Sequence, residues 1–180
     1  MLTVDDLIHH FGLEALPAEG GIFTQTYKSP EVIPHAALPA RYKGDKPLGT
    51  AILFLFTPDA DSFSAMHRLP TDEIYHFYLG DPIDLLLLYP DGRSEQIVLG
   101  QDILNSQHVQ YVVPYGTWMG SRMRAGGQFA LMGTTMAPGF THDDFDGATR
   151  EQLIAQYPHE AERITQLTRT GADLTMPEGY

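Results

Sequence analysis

Residues 64–80 read SAMHRLPTDEIYHFYLG. Two alternating runs flank Pro70 and Asp72, a pattern that predicts a pair of strands joined by a short connection. Successive side chains of a strand point to opposite faces. Phe63, Ala65, His67 and Leu69 are therefore expected on one face of the first strand, with Arg68 on the other. On the second, Glu73, Tyr75, Phe77 and Leu79 share a face, and His76 lies opposite unless a bulge intervenes. A histidine, a glutamate and a second histidine fall within ten positions. They pose a choice between a metal site, acid–base chemistry without metal, and plain strand packing.

Outward from this pair the chain continues as strands. GIFTQTYKS (21–29), TAILFLF (50–56), IDLLLLYP (83–90), SEQIVLG (94–100), HVQYVVP (108–114), TWMGSRM (117–123) and GQFALMGTTMA (127–137) are all strand-like and bounded by turn formers. Pro90-Asp91-Gly92 is a turn. Residues 3–16 predict a helix capped by Thr3, with Leu7, Phe11 and Leu16 as its apolar stripe. ATREQLIAQYPHEAERITQLTR (148–169) predicts helix broken near Pro158, and GADLTMPEGY (171–180) a frayed tail. Pro30 to Lys46 reads as a long loop suited to a lid or a dimer contact. Many short strands framed by terminal helices favour an all-β sandwich or barrel over a parallel α/β sheet.

The 180 residues carry 11 basic and 23 acidic side chains, a net charge of -12, which disfavours nucleic acid and anionic membranes as partners. There is no cysteine, so disulfides, thiolate ligands and thiol nucleophiles are excluded. The start lacks the basic segment and apolar run of a secretory leader, and AILFLF and DLLLLYP are too short to span a bilayer. A cytoplasmic location is expected.

The middle of the chain resembles the cupin superfamily, whose first motif runs His-x-His, three or four residues, Glu, six residues, Gly. His67, Glu73 and Gly80 match it, and Pro114-Tyr115-Gly116 matches the centre of the second motif. The chain is similar in particular to the single-domain fifth cupin group, through EGGIFTQTYKS (19–29), HRLPTDEIYHFYLGDPIDLLLLYPDG (67–92), VVPYGTW (112–118) and TMAPGFTHDDF (135–145), over roughly residues 5–160. The resemblance implies one cupin domain across residues 1–180: a double-stranded β-helix, or jelly-roll barrel, with core about 18–140 and a helical segment about 147–170. It also implies a homodimer and a pocket inside the barrel, but no particular reaction. In the dimer, the N-terminal strand and the Pro30–Lys46 loop are expected to cover a sheet edge. Against the cupin pattern, Leu69 and Met119 stand where histidines would be; against the closer group, Thr24 and Gln25 replace an arginine and a glutamate. Each change makes the pocket wall less polar.

With Glu73 aimed inward, as the resemblance implies, His67, Glu73, Tyr75 and Phe77 line the pocket. Leu69, Met119, Trp118, Gln25, Thr24, Tyr27 and Tyr111 are candidate ligand contacts. A divalent metal wants at least three donors, and His67 with Glu73 supplies two; if a metal is present, His76 is the third candidate. No cofactor is expected. Metal-free acid–base chemistry needs only His67 as base with Glu73 or Tyr75 as acid, an isomerase-, epimerase-, lyase- or cyclase-type reaction. Sugar-nucleotide epimerases of the superfamily work without metal, from a histidine and a tyrosine. A non-catalytic small-molecule binding protein, or a metal-dependent oxygenase, are the alternatives. Elsewhere, His9 and His10 read as surface residues, and His142, Asp143, Asp144 and Asp146 as a capped turn. Gly20-Gly21 is read as a turn, and Ser62, Ser64 and Ser121 lack a nucleophile-elbow signature.

Overall fold

In the computed structural model, which describes residues 2–179, Thr3 caps helix α1 (Val4–Phe11) through a reciprocal bond pair with Asp6. The helix is shorter than the 3–16 read from its apolar stripe. Gly12 adopts the left-handed conformation, φ 62°, and its N–H bonds Ile8 O, which ends the helix one residue after Phe11. Leu16 consequently leaves the helix and joins the barrel core.

The nine strand-like segments all form strands: β2 (Ile22–Lys28), β5 (Thr50–Phe56), β6 (Phe63–Arg68), β7 (Glu73–Gly80), β8 (Ile83–Leu88), β9 (Ser94–Leu99), β10 (Gln110–Val113), β11 (Trp118–Met123) and β12 (Ala130–Met136). Two-residue strands β1 (Glu14–Ala15), β3 (Val32–Ile33), β4 (Lys46–Pro47) and β13 (Asp146–Gly147) complete the set. One antiparallel sheet runs β1-β2-β5-β12-β7-β10, the facing one β13-β6-β11-β8-β9, and β3-β4 is a separate hairpin. The fold is thus the jelly-roll expected.

Between the sheets lie Phe54, Phe56, Tyr75, Phe77, Leu85, Leu87, Met119 and Met132, all buried. Outside the five-stranded sheet, helices α2 (Arg150–Gln156) and α3 (Ala161–Gln166) lay Leu153 and Ile164, both 0% exposed, on Phe63, Met66, Leu88 and Trp118. Each such side chain stabilises the fold by about 1.5–3 kcal/mol. Helix α1 covers part of the other sheet through Leu7, against Leu55 and Leu131.

Two bulges change the faces expected from strict alternation. Met119 pairs with His67 and Ser121 with Ser64, so one extra residue sits in β6 between them. Phe63, Ala65 and Met66 accordingly pack under the C-terminal helices, apart from His67, with which alternation had grouped Phe63 and Ala65. In β7, Leu131 pairs with Leu79 and Met132 with Phe77; Leu79 thereby leaves the core and is 43% exposed.

The Pro30–Lys46 segment is held by its own chain. Tyr42 is buried and accepts a hydrogen bond from the Thr71 hydroxyl at 3.0 Å. Lys46, 1% exposed, contacts Thr141 Oγ1 and pairs with Asp144 at 2.6 Å. Asp144 also caps its own turn by accepting from Thr141 N–H at 2.9 Å. The expected tail is no frayed end either: Met176 is buried. Removing one partner of a buried ion pair strands the other charge, at about 3–5 kcal/mol. Asp144→Ala is expected to lose that much in urea unfolding. Lys46→Met combined with Asp144→Asn, which keeps the cap acceptor, should recover more than half.

Candidate functional site

Strands β2, β5, β6, β7 and β12 send Phe23, Gln25, Ile52, His67, Glu73 and Thr134 into a cavity at one end of the barrel. Loops and the tail add Leu16, Glu19, Phe140, Phe145 and Met176 to its lining. The space open to centres of water-sized molecules is about 50 Å³. One water needs about 10–15 Å³ on that measure, so the cavity holds a few waters or a compact chemical group. Among the described residues no lysine or arginine lines it.

His67 is 2% exposed and stacks on Phe145, with ring centroids 5.1 Å apart. Its Nδ1 lies 2.7 Å from Ala65 O. A carbonyl only accepts, so Nδ1 carries the proton, and the neutral tautomer this selects has its lone pair on Nε2. The β6 bulge places Ala65 O for this bond.

Glu73, 6% exposed, opens β7 beside the hydroxyls of Thr134 and Tyr75, and its Oε2 is buried without a partner. Burial pushes its carboxyl above the ordinary glutamate range; the charge of Glu19 adds to the rise, while His67 and the nearby Thr134 and Tyr75 hydroxyls oppose it. Burial, with the neighbouring Glu73 and Glu19, likewise holds the Tyr75 phenol well above its usual range. The Tyr75 hydroxyl donates its proton to Met119 Sδ at 3.5 Å.

Glu19 is the site residue that strand reasoning missed. Its carboxylate accepts from Ser64 Oγ at 2.6 Å, and its carbonyl accepts from Ala65 N–H at 2.8 Å and Arg169 Nη1 at 2.9 Å. Gly20 and Gly21 follow with φ 87° and 75°; a Cβ on Gly21 would strike the Phe54 ring at 2.2 Å, so this turn needs glycine. The Glu-Gly-Gly signature was the visible signal, though it was read only as a turn.

Of the candidate residues, Gln25, His67, Leu69 and Glu73 line the cavity, while Tyr75, Phe77 and Met119 fill the core. The rest do not join them. Thr24 pairs with Leu53, whose side chain packs with the outer cluster under α1. A register shift between Gln25 and Tyr27 leaves Tyr27 53% exposed. Trp118 packs under the C-terminal helices, with the Arg68 guanidinium 4.6 Å from its ring centroid. Tyr111 donates to Glu95 at 3.4 Å. His76 lies on the outer face of β7, bonded to Thr135 Oγ1 at 2.9 Å and within 3.2 Å of Gln110 Nε2.

A metal does not suit this donor set. Leu69 and Met119 offer no nitrogen or oxygen, His76 faces away, and Glu19 is engaged by Ser64. Among the described residues no three His, Cys, Asp or Glu side chains are grouped to hold one ion. The buried, unpartnered Oε2 of Glu73 is better matched by a ligand donor or a water.

Comparisons with known proteins agree with this architecture. An uncharacterized protein of Saccharomyces cerevisiae is 28% identical over 134 residues, 70% of this chain and 66% of that one, so the chain spans just under two thirds of that relative. A solved Shewanella oneidensis protein is 32% identical with a TM-score of 0.80, covering 94% of this chain and 99% of its own. A hypothetical protein of Leishmania major follows at 27% and 0.79, covering 93% and 99%. Oxalate decarboxylase of Bacillus subtilis, at 14% and 0.52 over 93% of this chain and 40% of its own, shares the fold alone. The family described as Cupin superfamily (DUF985) matches residues 5–148, and the chain belongs to it.

Proposed function

We propose that the barrel cavity binds a small non-anionic molecule and moves a proton on it, His67 serving as base and Glu73 as acid, without a metal ion. The observation that carries this reading is the pairing of His67, its Nε2 lone pair set by Ala65 O, with a buried carboxyl whose Oε2 has no partner. Two carboxyl groups and no cation line the cavity, which argues against an anion such as a dicarboxylate and for a neutral or cationic ligand. Desolvation favours the protonated form of Glu73, the form that donates to a carbonyl oxygen while His67 Nε2 takes the hydrogen from the adjacent carbon. The product is an enol with the proton on His67. Returning that proton one carbon away isomerises, protonation of the other face by a water donor epimerises, and loss of a β-substituent that takes the His67 proton eliminates. Tyr75, buried behind Glu73, positions the carboxyl rather than touching the ligand.

We further propose a cytoplasmic homodimer. The β7–β10 edge of the six-stranded sheet leaves Tyr78, Val109 and Val112 exposed, with Ile103 and Leu104 nearby in sequence on the connection to β10. Among the described residues no helix is long and apolar enough to cross a membrane.

Two measurements test the site. Neutral carbonyl compounds, amino ketones and dicarboxylates are screened by thermal shift, and the stabilising compounds are incubated in D2O and followed by proton NMR. Non-anionic compounds should stabilise and exchange their α-hydrogens, and His67→Ala should slow the exchange by about 10²-fold or more. Stabilisation without exchange would assign the cavity to binding alone.

The second reads Glu73 through stability. The unfolded chain ionises Glu73 near the ordinary value of 4.5, whereas the folded protein keeps the proton to higher pH. Above that value the folded state binds more protons, so this group makes stability fall as pH rises. Urea midpoints from pH 4 to 8 should therefore show Glu73→Gln gaining on the parent protein as pH increases. Parallel profiles would contradict a raised carboxyl.

A further inference from the structure

Arg169 ends the firmly held part of the chain. Its guanidinium donates to Asp61 Oδ1 at 2.7 Å, Asp61 O at 2.6 Å, Glu19 O at 2.9 Å and Phe63 O at 3.2 Å. Beyond it, among the described residues, 170–179 form no side-chain hydrogen bond and make one main-chain bond outside regular elements, from Gly147 N–H to Leu174 O at 2.9 Å. That contact depends on Gly147 lacking a side chain, because a Cβ there would lie 2.9 Å from Leu174 Cα and 3.0 Å from its carbonyl oxygen. The other hold is Met176. It is 5% exposed, packs in the barrel cluster, and lines the cavity with Leu16 and Phe145, while Leu174 beside it is 37% exposed.

We infer that residues 170–179 form a displaceable strap across the cavity mouth, with Met176 the plug that determines which ligands reach His67 and Glu73. One buried side chain and one hydrogen bond oppose the conformational entropy of ten residues, so the strap opens far more readily than the barrel unfolds. Opening is required, because the closed cavity has only about 50 Å³ and His67 is almost fully covered. A thioether on an unbranched stem fills an irregular opening and repacks around different ligands. The family match ends at residue 148, so the strap lies in a part of the chain free to set selectivity separately from the barrel. The inference rests on this cavity being the ligand site, but its test measures access and uses no ligand.

The probe is diethyl pyrocarbonate, which acylates the lone-pair nitrogen of a neutral imidazole, with rates read per peptide by mass spectrometry on the full chain. His9 and His10, exposed on α1, serve as the open reference, and half-buried His76 reports general loosening. His67 should react slowly in the parent protein. Met176→Ala should raise its rate about tenfold, with His9, His10 and His76 unchanged, and Met176→Leu should restore protection. Gly147→Ala, which pushes on Leu174 from a position that pairs with His67 across β13–β6 but does not line the cavity, should also accelerate His67. An unchanged His67 rate in both variants, or a parallel rise at His76, would overturn the strap. Loss of α-hydrogen exchange with an intact strap response would count against the proton-transfer reading alone.

Discussion

The burial of the Glu73 carboxyl in an apolar barrel is the constraint around which the site is arranged. An ionised carboxylate at this depth would cost several kcal/mol if left alone, so the protein surrounds it with groups able to answer it in either protonation state. Thr134 and Tyr75 offer hydroxyls, and His67 offers a cation once it has taken a proton. The charge of Glu19, which accepts a hydrogen bond from Ser64, tilts the balance toward the protonated form. One oxygen still lacks a partner, and it is the one on which chemistry can act.

The outer layer matters to this arrangement as much as the barrel does. Leu153 and Ile164 fasten α2 and α3 to the five-stranded sheet, which brings Arg169 over the loop carrying Glu19. The covering helices are therefore connected to the cavity through main-chain carbonyls of Glu19, Asp61 and Phe63. A loosened helix pair would move an acid in the cavity without altering any strand.

Alternation and turn chemistry make the strands legible in the sequence, because each depends on neighbours within a few positions, while the jelly-roll and the inward aim of Glu73 follow from the resemblance to the cupin motifs. What escaped depends on longer distances or on single insertions. The extra residue in β6 leaves no mark in SAMHR, yet it puts Ala65 and Met66 on the same side. A shift after Gln25 turned Tyr27 to the surface. Glu19 reaches the cavity through a contact spanning 150 positions, which no local pattern encodes. The tail differs for the opposite reason: its composition is that of a loose end, and Met176 with the Gly147–Leu174 bond separates it from one.

The Lys46–Asp144 pair has a consequence for how the molecule comes into being. Its partners are 98 positions apart. At a synthesis rate of about 5–20 residues per second, the lysine leaves the ribosome roughly 5–20 seconds before its carboxylate exists. Until then the β3–β4 hairpin has an ammonium group without the carboxylate that pairs with it when buried. The order of translation thus makes the pairing of this ammonium a late event, deferred until the chain that carries Asp144 is itself emerging.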